Sequence, residues 1–139
     1  MARKIDKYVI VPEHVDPERP VPYHETSTRI DRELGPGLSY ASNNLVPGAD
    51  MRIGVRKIKQ VPPNYVSHLA PHKHEVSEVY GVIGDLTVEF ILDGETREVT
   101  GPASMFIPAG MMHTYRPVRG SGYFMIVYRG GDYQAFGDD

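Results

Sequence analysis

Glycine and proline set the first limit on this chain. Fourteen glycines and twelve prolines are spread over 139 residues, so few uninterrupted stretches are long enough for a helix. Short runs that alternate in polarity between such breaks favour an all-β design. Met51, Ile53 and Val55 alternate with Arg52, Gly54 and Arg56, a period of two. The alternation slips at Lys57-Ile58, which predicts a bulge. The basic cluster Arg52, Arg56, Lys57 and Lys59 reads as a solvated outer sheet face, with an anion site as the alternative. Further on, EVYGVI (78–83) and LTVEFIL (86–92) flank Gly84-Asp85, and Asp93-Gly94 precedes 95–99. Both dipeptides predict two-residue hairpins. Short strands follow at 104–107, 111–116 and 122–129, and the last, GYFMIVYR, is apolar on both faces, as suits a strand covered on both sides. Successive short strands of this kind predict a jelly-roll β-sandwich.

The N-terminal part differs in character. Pro12, Pro17, Pro20 and Pro22 predict an extended arm, because proline cannot donate to a ladder. Residues 23–34 fit either a turn of helix or an edge strand. We divide the chain into an arm, 1–37, packing on the barrel or on a partner subunit, and a barrel, 38–139. Arm and open sheet edges together predict a homodimer.

Composition narrows the chemistry. There is no cysteine, which excludes disulfides, thiolate metal sites and cysteine nucleophiles. A net charge of -3 gives no reason to expect nucleic acid or an anionic membrane as partner. The apolar run Tyr8–Val11 is too short for a signal-peptide core, and no apolar run approaches the roughly 18 residues of a membrane span. The expected compartment is the cytoplasm.

The chemistry-bearing stretch is PHKHEVSEVYGVIGDL. His72 and His74 lie two apart, so on a strand both point to one face and two imidazoles can converge on one ion. Glu78 follows after a short connection, where an antiparallel strand can bring a carboxylate back. PAGMMH, ending in His113, can supply a further ligand from another strand.

These stretches resemble the two motifs of the cupin superfamily. The first runs Gly, five residues, His-x-His, three or four residues, Glu, six residues, Gly; His72-Lys73-His74, Glu78 and Gly84 follow it. Five residues, not six, separate Glu78 from Gly84, and Val66 stands where the first glycine belongs. The second runs Gly, five residues, Pro-x-Gly, two residues, His, three residues, Asn. Gly101, Pro108-Ala109-Gly110 and His113 follow it with one extra residue after Gly101, and Pro117 replaces the Asn. The resemblance covers about residues 50 to 130. It implies a cupin barrel, a double-stranded β-helix, holding one divalent ion on His72, His74, Glu78 and His113. Imidazole and carboxylate suit Fe, Mn, Ni, Co or Zn.

Some positions stay open at this point. His68 shares parity with His72 and His74, and is an alternative fourth ligand in place of Glu78 or a cavity acid–base. Tyr80, Tyr115, Met125 and Phe90 are candidate pocket residues. The wall is either Tyr123, Met125 and Val127 or Phe124, Ile126 and Tyr128. His14 and His24 read as solvated. The resemblance implies a metal-dependent enzyme acting on a small oxygenated, aromatic-leaning substrate that chelates the ion. Dioxygenase chemistry comes first among the readings. A redox-free isomerase or polyketide cyclase and a non-catalytic small-molecule binder are the alternatives.

Overall fold

Most of the short runs become strands in the computed structural model, which describes residues 3–137. They are β1 (Glu13–His14), β2 (Gly37–Ala41), β3 (Met51–Ile58), β4 (Glu78–Gly84), β5 (Thr87–Leu92), β6 (Glu95–Thr100), β7 (Ala103–Ile107), β8 (His113–Arg119) and β9 (Gly122–Arg129). One helix, α1 (Ser27–Glu33), and a short 3-10 turn (Lys4–Lys7) complete the elements. The extended run 65–74 forms no strand and makes only isolated bridges.

The strands form two antiparallel sheets, one in the order β1-β2-β3-β9-β4-β7 and one in the order β6-β5-β8. β9 enters between β3 and β4, the strand exchange that makes a jelly roll rather than a meander. Asp93-Gly94 closes the β5–β6 hairpin with φ of +50° and +82°, the two positive angles of a type I′ turn.

Gly84-Asp85 departs from expectation. β4 pairs with β7 and β9, while β5 pairs with β6 and β8. The dipeptide therefore carries the chain from one sheet to the other and closes no hairpin. The glycines there serve close backbone approach: a Cβ on Gly101 would lie 2.3 Å from the Gly84 carbonyl oxygen, and one on Gly122 2.1 Å from that of Ile83. The bulge expected at Lys57-Ile58 is also absent. β3 runs beside β9 in unbroken register from Met51↔Arg129 to Ile58↔Gly122. The irregularity lies on the other side, between Ser39 and Ala41 of β2.

Register sorts the six-stranded sheet into two faces. Arg52, Gly54 and Arg56 share the inner face with Tyr128, Ile126 and Phe124, and these with Glu78, Tyr80 and Val82. Met51, Ile53 and Val55 turn outward with Met125 and Val127. The solvated outer face expected for the basic cluster is thus corrected for Arg52 and Arg56, which point inward; Lys57 and Lys59 are exposed. Alternation tells two faces apart without saying which is inside. Here the polar set of β3 is inside, facing a cavity and the counter-charge of Asp31.

Between the sheets, Ile58, Tyr80, Val82, Leu86, Val88, Phe90, Ile107, Tyr115 and Phe124 form the core. The Tyr115 and Phe124 rings stack with centroids 3.9 Å apart. Within residues 23–34 the helix α1 forms over Ser27–Glu33: its Ile30 and the following Leu34 enter that core, and Asp31 pairs with Arg56 at 2.8 Å. The proline-rich stretch contributes only the two-residue β1, bridged to Ser39 and Leu38. Among the described residues no helix is long and apolar enough to cross a membrane.

Gly94→Ala tests the hairpin turn. An added methyl meets nothing within 4 Å, so the change acts through the backbone angle alone. It should lower unfolding free energy by about 1 kcal/mol, read as an earlier denaturant midpoint. An unchanged midpoint would refute the turn assignment.

Candidate metal centre

Two motifs meet here through their backbones. The His72 N–H donates to the His113 carbonyl at 3.1 Å, and the His113 N–H returns the bond at 2.9 Å. Gly110, with φ +80°, donates its N–H to the His74 carbonyl at 2.7 Å. Lys73 exchanges both backbone bonds with Phe136, which turns its side chain away and leaves His72 and His74 on the same side. Period-two placement holds for this segment although it is not part of a regular strand.

Each imidazole is then oriented by a second bond. Nδ1 donates to the Ala70 carbonyl in His72 (2.9 Å), to Gln134 in His74 (2.5 Å) and to Met111 in His113 (3.0 Å). A carbonyl only accepts, so the proton sits on Nδ1 and the lone pair is left on Nε2. Those ligand atoms lie within 4.8 Å of one another. Glu78 opens β4 and reaches in from the opposite sheet position. Its Oε1 lies 3.1 Å from His113 Nε2 and 3.5 Å from His74 Nε2.

All four side chains are buried, with His72 fully so. Glu78 Oε1 and His113 Nε2 have no hydrogen-bond partner. Two acceptors facing each other at this depth are costly unless something between them takes both lone pairs. A divalent cation does that, and three neutral nitrogens with one carboxylate oxygen suit the first-row metals. The titration directions agree. Burial pushes His72 down to about 3. Burial raises the Glu78 carboxyl, but the His113 and His74 imidazoles outweigh it and hold it below the usual carboxylate value.

His68 is not in this group. Its Nδ1 meets the Tyr65 hydroxyl at 2.9 Å and its Nε2 the Tyr115 hydroxyl at 3.1 Å, so neither nitrogen faces an ion. It lines a cavity of about 200 Å³ bounded by the N-terminal segment and the inner faces of β2, β3 and β9. Of the four residues expected in the pocket, only Tyr115 lines it. Tyr80 and Phe90 are packed in the core, and Met125 faces outward because its parity is opposite to Phe124. The wall is Phe124, Ile126 and Tyr128.

Two further residues escaped the sequence reading. His24, expected in solvent, packs its ring 4.9 Å from that of His72 and lines the cavity; His14 is exposed and pairs with Asp31 at 2.7 Å. Tyr133 sits beyond the stretch that carries the motif resemblance. Its hydroxyl lies 3.1 Å from both His24 Nε2 and His72 Nε2 and 3.5 Å from His74 Nε2. His24 Nδ1 donates to the Pro22 carbonyl at 2.7 Å, so its Nε2 accepts from Tyr133. No spacing signal marks either residue; the fold alone brings them in.

Pro117, at the motif's Asn position, is fully buried. It lies on β8, an edge of the small sheet, where a missing N–H is tolerated.

His74→Ala or His113→Ala should lower bound metal per chain by an order of magnitude or more, measured by elemental analysis after dialysis, while His68→Phe should leave it unchanged. Full retention in either alanine variant would refute the assignment. His68 also predicts a pH effect. Burial pushes it down to about 3, so below about 6.5 the unfolded chain binds a proton that the native chain refuses. Native stability should therefore fall as pH drops from about 6.5 towards 3. His68→Phe should flatten that slope in denaturant titrations; an unaltered slope would exclude His68 as its source.

No family model and no curated protein matches the chain. Solved structures do. The polyketide cyclase RemF from Streptomyces resistomycificus is 20% identical, with 98% of this chain and 84% of that one covered and a TM-score of 0.58. The DMSP lyase DddQ from Ruegeria pomeroyi is 15% identical over 88% of this chain and 57% of its own, also at 0.58. KdgF from Halomonas sp. is 18% identical over 68% and 79%, at 0.53. Two sheets in jelly-roll order, motif segments stitched at His72 and His113, and likeness to cupin-type structures such as KdgF together give this chain the cupin superfamily fold.

Proposed function

We propose that the protein is a metal-dependent enzyme acting on a small oxygenated substrate with an apolar, ring-containing body. Its chemistry is redox-free proton transfer beside a carbonyl, of the isomerase or cyclase kind. The observation that carries this reading is the Tyr133–His24 pair beside the converging imidazoles. An ion bound by His72, His74, Glu78 and His113 would supply Lewis-acid polarisation of a substrate oxygen.

The chain's own residues supply the rest. Phe124, Ile126 and Tyr128 offer an apolar wall to a ring. Val15, Val21 and Ile30 of the N-terminal segment add apolar surface to the cavity. Burial, followed by the negative charge of Glu78, raises the Tyr133 phenol, which favours the form that carries a proton at Oη. Burial lowers His24, so its imidazole is neutral and Nε2 can accept. The pair thus places a proton donor, Tyr133 Oη, against a proton acceptor, His24 Nε2, at 3.1 Å. Dioxygenase chemistry, first on sequence grounds, makes no use of that pair. RemF supports the reading only through its shared fold.

The test uses metal-loaded protein and an ortho-hydroxyaryl methyl ketone in D2O. Proton NMR should show metal-dependent exchange of the methyl protons without oxygen uptake. Tyr133→Phe should slow exchange by about 10²-fold with metal content unchanged. Oxygen consumption in place of exchange would move the protein to the dioxygenases. Binding without exchange would make it a non-catalytic binder.

A further inference from the structure

Arg52 shares the inner face of the large sheet with the metal-facing residues. It lies opposite Tyr128 on β9, and Tyr128 lies opposite Glu78 on β4. Arg52 and Glu78 are thus two strand spacings apart, roughly 10 Å between Cα atoms. The Arg52 guanidinium lies over the Tyr133 ring, 5.5 Å from its centroid, and the hydroxyl of that ring touches His72 and His24. One aromatic ring therefore separates this cation from the ligand cluster.

Its pairing is unlike that of its neighbours. Arg56, on the same face, is satisfied by Asp31 at 2.8 Å and by the Gly35 carbonyl. Arg29 is held by Glu25 and Glu33. Among the described residues the Arg52 guanidinium makes no ion pair and no hydrogen bond, although it is partly buried and lines the cavity. Arg19, also on the cavity wall, adds a second cation. Glu25 is engaged by Arg29, and among the described residues neither Asp16 nor Asp132 forms an ion pair with Arg52. Burial, with the like charge of Arg19 after it, lowers the Arg52 pKa, against the opposing influence of Tyr133, Tyr128 and Asp132.

A guanidinium withdrawn from water without a partner leaves several donors unmet. A carboxylate meets two of them at once in the forked geometry that arginine favours. We infer that the cavity selects an organic anion, a substrate whose carboxylate docks on Arg52. The inference rests on reading the cavity as the substrate site. Arg52 is then a specificity-determining residue that touches substrate and not the ion.

The probes are 4-hydroxybenzoate and its neutral twin 4-hydroxybenzamide, titrated calorimetrically into zinc-loaded protein. The acid should bind at least about tenfold tighter than the amide. Arg52→Met should abolish that preference, and Arg52→Lys should keep part of it, with zinc content equal in all three proteins. Equal affinities in the wild type, a preference that survives Arg52→Met, or no binding of the acid at roughly 10 mM would each overturn the inference. Zinc content separates the two readings. Failure of the unaltered chain to take up zinc would count against the metal centre. Equal affinities at full zinc loading would count against Arg52 alone.

Discussion

The reciprocal backbone pair between His72 and His113 is the constraint on which the site depends. It joins a segment without regular strand structure to the first residue of β8. Imidazoles placed to share one ion have to start from neighbouring Cα positions, and a doubly bonded antiparallel pair fixes two Cα atoms about 5.5 Å apart. Gly110 then pins His74 to the same corner. Carbonyls behind each ring fix the proton on Nδ1, so three lone pairs converge without any rotation left to choose.

That convergence conflicts with stability taken alone. Buried imidazoles that stay neutral, a buried carboxylate and two unpartnered acceptors are individually unfavourable in a protein interior. The jelly roll holds them because the core beside them is dry and aromatic: Tyr80 packs against His113, Phe90, Tyr115 and Phe124. Local rules broken where neighbouring packing is strong mark a place kept for chemistry. The same division runs along β3, which faces the cavity with Arg52 and Arg56 and turns Met51, Ile53 and Val55 outward.

Legibility followed the range of the interaction. Asp93-Gly94 was readable because a type I′ turn needs two positive φ angles in adjacent residues. Gly84-Asp85 carries the same local signal, and Gly84 also has a positive φ of +87°, yet there the chain turns a sheet-to-sheet corner where Gly101 and Gly122 leave no room for a Cβ. Helix α1 was undecided because its seven residues show too few turns for a period to declare itself. His72, His74, Glu78 and His113 could be found because spacing and neighbouring glycines and prolines resemble a known pattern. His24 and Tyr133 could not, since they approach from 48 residues before His72 and 20 after His113.

Local chemistry in the chain was enough to specify β structure, the main tight turn and four candidate ligands, because each depends on residues close in sequence or on short, spaced motifs. It left three things undetermined: which face of β3 is interior, which of His68 and Glu78 meets the other imidazoles, and what closes the cavity. Those follow from strand exchange, since β9 between β3 and β4 sets Arg52, Tyr128 and Glu78 in one row. Pairing across long loops depends on burial summed over the whole molecule, and no local stretch of residues carries that sum.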